Sequence, residues 1–300
     1  SAVTTLIGFV VGAGILGMPF VFAKAGFVTG VISVIFIGFA IVLQNLMIGE
    51  TSLRTKKSHQ LVGYAEKYLG KKGKTLMLWL LLIGWYSAMI AYIIKTGEFI
   101  SVLLIPIVYL PPIVYSIIFV LIGTYLVFKG LKLVEKSEFW MIILILIIVA
   151  IIGIFALPSI EPSNLTGFSM KQFWLPFGVV IFAFGGAGAI PEMREELKKN
   201  AKLLKNAIII GTIVSAILYI VFPLFVVGVT GVTTTDGAII GLGGILGYKM
   251  LLIGSFFGIL TMSTSFLVIG VAIKEIFKFD YNSKNTKSTL LACVVPFIAA

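Results

Sequence analysis

Long apolar runs follow one another along nearly the whole chain, and they decide what it can fold into. A helix needs ~20 mostly apolar residues to cross a bilayer, and a backbone in hydrocarbon must satisfy its own hydrogen bonds. The runs are continuous rather than alternating, so each predicts a transmembrane helix. We place nine such segments at residues 2–22, 27–53, 75–104, 112–128, 139–157, 173–190, 207–229, 250–277 and 288–300.

The connections between these segments are too short to hold a second folded domain. Of the 300 residues, 59% are hydrophobic and 12% are charged, whereas a soluble domain has about 25% charged residues. The sequence therefore predicts a single all-α polytopic membrane domain over residues 1–300. The ninth run stops after about 13 residues, fewer than a span needs, so we expect the fold to be C-terminally incomplete.

Basic residues lie mainly on one side of the predicted membrane. Nineteen of the 23 Lys and Arg residues occur in the second, fourth, sixth and eighth connections. By the positive-inside rule, these connections and the N-terminus face the cytoplasm, and we expect the membrane to be the plasma membrane. The net charge of +11 thus reflects topology, and no nucleic acid partner is expected.

Two of the nine segments are interrupted. Four glycines and Pro19 fall within residues 8–19 of the first segment, and a glycine cluster precedes Pro191 in the sixth. Glycine permits non-helical torsions and proline removes a backbone donor. We interpret both clusters as helix breaks rather than only as sites of close helix packing. Interrupted segments at matching positions of two halves are typical of transporters.

The spacing of the breaks predicts a five-plus-five inverted repeat, with residues 2–157 in the first repeat and 173–300 in the second. A half-helix that starts inside the membrane offers free N–H donors and a positive dipole end, which suit a carboxylate. A half-helix that ends there offers free carbonyls, which suit an ammonium group or a cation. Together the two breaks would recognise both ends of an amino acid.

Short stretches at and between these breaks carry a family pattern. They read GAGILGMP at residues 12–19, FAKAG at 22–26, LVGYAEKYLG at 61–70, FAFG at 182–185 and IPEMREELK at 190–198. Together they resemble the first helix, first cytoplasmic loop, sixth helix and following loop of the amino acid/auxin permease family, within the amino acid–polyamine–organocation superfamily. TSFL at 264–267 is similar to the eighth helix of bacterial aromatic amino acid permeases in that group.

The resemblance implies cation-coupled uptake of amino acids by alternating access, with no cofactor beyond the coupling ion, Na⁺ or H⁺. The expected partners are an amino acid and the lipid bilayer. Two alternatives stay open, which are an exchanger of amino acids and a sensor that binds them without transport. An enzyme is not expected, because His59 and Cys293 are single, isolated residues of their types.

The substrate is expected between the two breaks. Its carboxylate would bind the backbone N–H groups of Gly12, Ala13, Gly14 and Ile15. Its ammonium group would bind carbonyls near Phe182, Ala183 and Phe184, with Gly185 allowing the break. The Phe184 ring is a candidate gate or stacking surface, and ordinary helix packing is the alternative.

The resemblance also points to places for the coupling ion. In this fold a sodium site often lies between the first and eighth helices, and the matching oxygens belong to Gly8, Val11, Thr261, Thr264 and Ser265. Such oxygens suit a hard cation, although Ser and Thr hydroxyls often bond back to their own helix. Glu192 is a candidate proton or gating residue, with a cytoplasmic charge network as the alternative.

The third segment and the stretch that begins at residue 231 allow two further predictions. In the third segment, Trp85, Tyr86 and Tyr92 are candidates for reading the substrate side chain, and packing is the alternative. Residues 231–237 predict a flexible outer connection, and the chain stays rich in glycine through Gly247.

Overall fold

The computed structural model describes residues 2–57, 59–108, 110–197, 200–236 and 238–300, and within these ranges it contains helices and no strands. The first half carries α1 (Ala2–Val10), α2 (Ala13–Ala25), α3 (Phe27–Arg54), α4 (Leu61–Leu104), α5 (Pro112–Lys129) and α6 (Leu131–Ala156). The second half carries α7 (Leu175–Ala183), α8 (Ala189–Glu196), α9 (Leu204–Thr230), α10 (Ala238–Leu246), α11 (Tyr248–Glu275) and α12 (Asn285–Ala299). The predicted all-α class is confirmed.

The helices of the described ranges have the lengths of an integral membrane protein. Six are long and apolar enough to cross a membrane, and seven if α1 and α2 count as one bent span. α12 is apolar but shorter, and α7 and α8 are the two halves of the interrupted sixth segment. All nine predicted segments therefore coincide with helix.

Two stretches are more helical than the sequence suggested. α4 begins at Leu61 rather than at residue 75, and it turns at Gly70, whose φ of +72° glycine adopts readily. The glycine-rich stretch that follows the predicted outer connection contains α10. α10 packs on α11 and α9. Its buried face orders the glycine-rich segment and consists of Ala238, Ile239 and Leu242.

The interrupted helices lie in the middle of the bundle. α1 packs against α9, α8, α11 and α6, while α2 packs against α7 and α9. α11 lies against α4, α6, α10 and α12, and 83% of its most apolar stretch is buried. This burial explains why α11 is apolar all round. α1, the first half of the first interrupted segment, packs directly against this buried helix.

Candidate functional site

The first break separates α1 from α2 at Val11 and Gly12 and bends the chain by 53°. The amide of Val11 donates to the carbonyl of Ile7 at 2.7 Å, and the amide of Gly12 donates to the carbonyl of Val10 at 2.9 Å. These bonds close the end of α1 in a tight turn. The predicted interruption of the first segment is thus present in the structure.

The first turn of α2 leaves backbone donors available. Gly12 provides no side-chain cap, and the Ile15 amide bonds to the Gly12 carbonyl at 3.3 Å. The amides of Ala13 and Gly14 have no backbone acceptor among the described residues. Of the four N–H groups predicted to bind a carboxylate, these two are free to do so.

The second break covers residues 184–188, between α7 and α8. Three of its five amides are bonded, and those of Ala187 and Gly188 have no backbone acceptor among the described residues. The bonds run from the amide of Phe184 to the carbonyl of Val180 at 3.0 Å, from Gly185 to Phe182 at 3.2 Å and from Gly186 to Phe184 at 2.6 Å.

Of the three carbonyls predicted to bind the ammonium group, one accepts no hydrogen bond from these turns. The carbonyls of Phe182 and Phe184 accept bonds from the turn itself. The carbonyl of Ala183 accepts instead from the hydroxyl of Tyr219, at 2.8 Å. Of these three carbonyls, that of Ala183 is therefore the one that accepts no amide hydrogen from the turn. Nothing in the sequence pattern singled out Tyr219, a lone tyrosine in an apolar run.

The two breaks touch through their main chains. A Cβ atom on Gly14 would lie 2.5 Å from the Cβ and 2.7 Å from the Cα of Ala183. One on Gly12 would lie 2.5 Å from the hydroxyl of Ser265 and 2.9 Å from that of Tyr92. Within the described residues, every glycine with positive φ lies outside the breaks. The glycines of the breaks thus serve close approach rather than left-handed torsions.

A cavity of about 170 Å³ lies beside the two breaks. It is lined by parts of α1, α2, α4, α7 and α11, including Val10, Gly14, Trp85, Tyr92 and Phe182. Two of the three aromatic residues singled out in the third segment therefore face it. The third, Tyr86, instead donates to the carbonyl of Leu291 in α12 at 2.8 Å.

The aromatic residue of α7 that lines the cavity is Phe182, just ahead of the second break. The Phe184 ring is fully buried and packs edge-on against the Tyr219 ring, with centroids 5.0 Å apart. It lies close to Gly38 on its other side and is not part of the cavity wall. The geometry therefore favours packing for the Phe184 ring and makes Phe182 the better candidate for contact with a ligand.

The hydroxyl cluster predicted between the first and eighth helices is buried, and one member crosses to α1. Ser265 donates to the carbonyl of Gly8 at 2.9 Å. Thr261 and Thr264 donate to carbonyls of their own helix, at 3.1 and 2.8 Å. The structure thus brings Ser265 and Gly8 together, while the two threonines follow the back-bonding alternative. Val11 lies one residue beyond the end of α1.

Glu192 is fully buried in α8, near the predicted cytoplasmic side. The buried Lys274 of α11 lies within electrostatic reach of Glu192, and its ammonium donates to the carbonyl of Val127 at 2.7 Å. One turn further on, Glu196 accepts a 2.5 Å bond from Thr5 of α1. Glu192 is therefore part of a charged region in which α8, α11 and α1 meet.

A set of polar bonds, which we term the Arg194 latch, joins α8 to the α3–α4 connection and to the first turn of α4. The guanidinium of Arg194 donates to the carbonyl of Thr55 at 2.8 Å and to the hydroxyl of Tyr64 at 3.1 Å. Nearby, Gln60 donates to Glu275 at 2.9 Å. Burial and then the positive charges of the neighbouring lysines lower the pKa of His59 in the same connection, which keeps it neutral near pH 7.

Comparison with known proteins extends over the whole chain. The family model described as the tryptophan/tyrosine permease family matches residues 1–300. The tyrosine-specific transport system 1 of Haemophilus influenzae is 26% identical over 98% of this chain and 78% of its own length. The tryptophan-specific transport protein of the same organism is 25% identical over 97% of this chain and 77% of its own length.

A solved structure shares the fold. The crystal structure of MhsT in complex with L-phenylalanine matches with a TM-score of 0.80 over 99% of this chain and 77% of that chain. The sequence identity is 13%, so this likeness bears on the fold alone. It confirms the predicted inverted-repeat architecture with interrupted first and sixth helices.

Proposed function

The chain belongs to the tryptophan/tyrosine permease family, and we propose that it is a secondary active transporter that moves amino acids across the membrane by alternating access. The observation that carries this proposal is the meeting of two broken helices at a cavity. One break has free amides, and the other has a carbonyl that its own turn does not use. A zwitterion needs such a pair of sites side by side.

Different groups around the cavity would bind different parts of the substrate. The amides of Ala13 and Gly14 would bind the carboxylate at the positive end of α2. The carbonyl of Ala183 would accept from the ammonium group. Trp85 and Phe182 would contact the side chain. Relatives named for tyrosine and tryptophan agree with an aromatic substrate, and the flat rings lining the cavity suit one.

Coupling to a cation is part of the proposal, with Na⁺ and H⁺ as the two candidates. For Na⁺, the carbonyl of Gly8 and the hydroxyl of Ser265 already lie together between α1 and α11, and both are hard oxygen ligands. For H⁺, Glu192 is a fully buried carboxyl group in the first turn of α8, which follows the second break. Ionisable groups inside a membrane protein commonly mark such pathways.

The proposed location is the plasma membrane, with the N-terminus and the Arg194 latch on the cytoplasmic side. The positive-inside rule supports this orientation, since most basic residues lie on the side of the latch. The latch ties α8 to the α3–α4 connection. A substrate bound at the breaks would reach the cytoplasm only after such bonds open.

The test is uptake of labelled aromatic amino acids by the purified protein in proteoliposomes, under a sodium gradient, a proton gradient or neither. Uptake above that of protein-free liposomes, driven by one of the two gradients, is the expected result. Counterflow without dependence on either gradient would make the protein an exchanger. Binding without transport in sealed vesicles would make it a sensor and would contradict the proposal.

A further inference from the structure

Tyr219 of α9 is fully buried and reaches both broken helices. Its hydroxyl oxygen lies 2.6 Å from the carbonyl oxygen of Val10 and 2.8 Å from that of Ala183. Val10 is the last residue of α1, and Ala183 is the last residue of α7. A single side chain therefore reaches the terminal carbonyls of both half-helices.

Both half-helices present the negative end of their dipole at this point. Two such ends close together repel each other, and the buried surroundings screen that repulsion poorly. A hydrogen shared between the two oxygens attracts both and offsets the repulsion. The hydroxyl of Tyr219 thus occupies a position where a cation would otherwise be favourable. α9 runs as one helix from Leu204 to Thr230 and supplies the support.

The phenol ring of Tyr219 is also fixed from the side of the second break. The buried Phe184 ring packs edge-on against it, with an interplanar angle of 82°. Edge-on contact between aromatic rings is a favoured arrangement that restrains both side chains. The Tyr219 hydroxyl is therefore held between the carbonyls by packing as well as by hydrogen bonds.

A count of hydrogens shows what Tyr219 leaves available. Each carbonyl oxygen has two lone pairs, so those of Val10 and Ala183 can together accept four hydrogen bonds. The Gly12 amide supplies one hydrogen, and the Tyr219 hydroxyl has one hydrogen for both oxygens. Acceptor capacity for two more hydrogens remains at residues that line the cavity. An ammonium group brings three N–H donors.

We propose that Tyr219 is a positioning residue that ties the two breaks together and aims the carbonyls of Val10 and Ala183 at the ammonium group of the substrate. The second half of this inference rests on the proposed transport of amino acids. The tie itself exists without substrate, so the two halves can be tested separately.

The first experiment compares Tyr219→Phe with the native protein by hydrogen exchange, without substrate. Loss of the hydroxyl leaves two buried carbonyls short of a donor, so the amides of Gly12, Gly185 and Gly186 should exchange about tenfold faster. Tyr115→Phe is the matched control. Tyr115 is also buried and donates to a carbonyl, that of Val108 at 2.9 Å, but it lies at the start of α5. This control should leave exchange at the breaks unchanged.

The second experiment measures recognition of the ammonium group. Binding of L-tyrosine is compared with binding of 3-(4-hydroxyphenyl)propanoate, which lacks only that group. In Tyr219→Phe the affinity for L-tyrosine should fall about tenfold while that for the propanoate stays the same. A merely structural defect would weaken both ligands together, and Tyr115→Phe should keep the native ratio.

The outcomes separate this inference from the proposed function. If the native protein binds neither ligand, tyrosine is not its substrate and the aromatic part of the proposed function fails, whereas hydrogen exchange decides whether Tyr219 ties the breaks. Unchanged exchange in Tyr219→Phe would overturn the tie even if transport is normal. Faster exchange with an unchanged ratio of the two affinities would overturn the role in ammonium binding.

Discussion

The two breaks look alike in sequence, since both combine a glycine cluster with a proline, but they differ in what they leave unbonded. The first is two residues long, and the amides of Ala13 and Gly14 beyond it have no backbone acceptor among the described residues. The second is five residues long, and its turns use the carbonyls of Phe182 and Phe184 but not that of Ala183. Beside the cavity, the first break therefore offers the amide of Gly14, whereas the second offers the carbonyl of Ala183.

The difference shows how two similar elements can recognise opposite charges. Helix direction places a positive end at the start of α2 and a negative end at the finish of α7. The turns of each break then decide which groups remain available, because a carbonyl that accepts a bond within the turn is already in use. Substitutions that affect one break more than the other test this division, and four of them follow in order of expected effect.

The largest effect is expected from Gly14→Val. The added side chain would meet the main chain of Ala183, which cannot move aside without displacing α7. We expect uptake to fall by about a hundredfold or more, because the donor site and the acceptor site would be forced apart. Proteoliposome uptake measures this.

Gly17→Ala is the matched control for that variant. Gly17 belongs to the same helix, and a Cβ there would make only an ordinary contact of 3.4 Å with Val179. Uptake within about twofold of the native rate is expected. Similar losses in the two variants would contradict the idea that contact between the breaks is what matters.

A smaller effect is expected from Ser265→Ala, which removes the bond from α11 to the carbonyl of Gly8 ahead of the first break. The concentration of driving cation that gives half-maximal uptake should rise about tenfold, since an oxygen ligand is lost and a buried carbonyl is left unpaired. Ser215→Ala is the control, because that hydroxyl donates to the carbonyl of Gly211 in its own helix. Equal shifts in both variants would count against the cation site.

The Arg194 latch concerns the second break alone, because it restrains α8. Arg194→Ala should increase hydrogen exchange across α8 several-fold, since bonds to Thr55 and Tyr64 are lost. Arg54→Ala removes an exposed pair with Glu50 and should change nothing in α8. If α8 exchanges at the native rate without Arg194, other contacts hold it.

The smallest effect is expected from Gly178→Ala in α7. Apart from its chain neighbours and its own helix backbone, no atom of the described residues lies within 4 Å of a Cβ built there, and the position is helical. Alanine should therefore raise the free energy of unfolding by about 0.5–1 kcal/mol, because glycine is the poorer helix former. Thermal unfolding in detergent measures this, and a lower melting temperature would show that the glycine has a packing role.

Much of the fold follows from the sequence, because hydropathy specifies the helices and the glycine–proline clusters specify the breaks. Details that depend on direction could not be predicted. Phe182 and Phe184 are two residues apart, and nothing in their spacing says that one faces the cavity and the other faces α9. The role of Tyr219 could not be predicted from the sequence either, since it depends on two carbonyls that are 209 and 36 residues away along the chain.

The contact of Gly14 with Ala183 has a consequence for how this protein can evolve. Gly12 is hemmed in by the side chains of Ser265 and Tyr92, so a change at position 12 can be accommodated by a matching change at either of those positions. Gly14 faces a main-chain atom, which no substitution can shorten. In sequences that descend from this one, a substitution at position 12 should therefore accompany a substitution at position 92 or 265. Substitutions at position 14 should be rare.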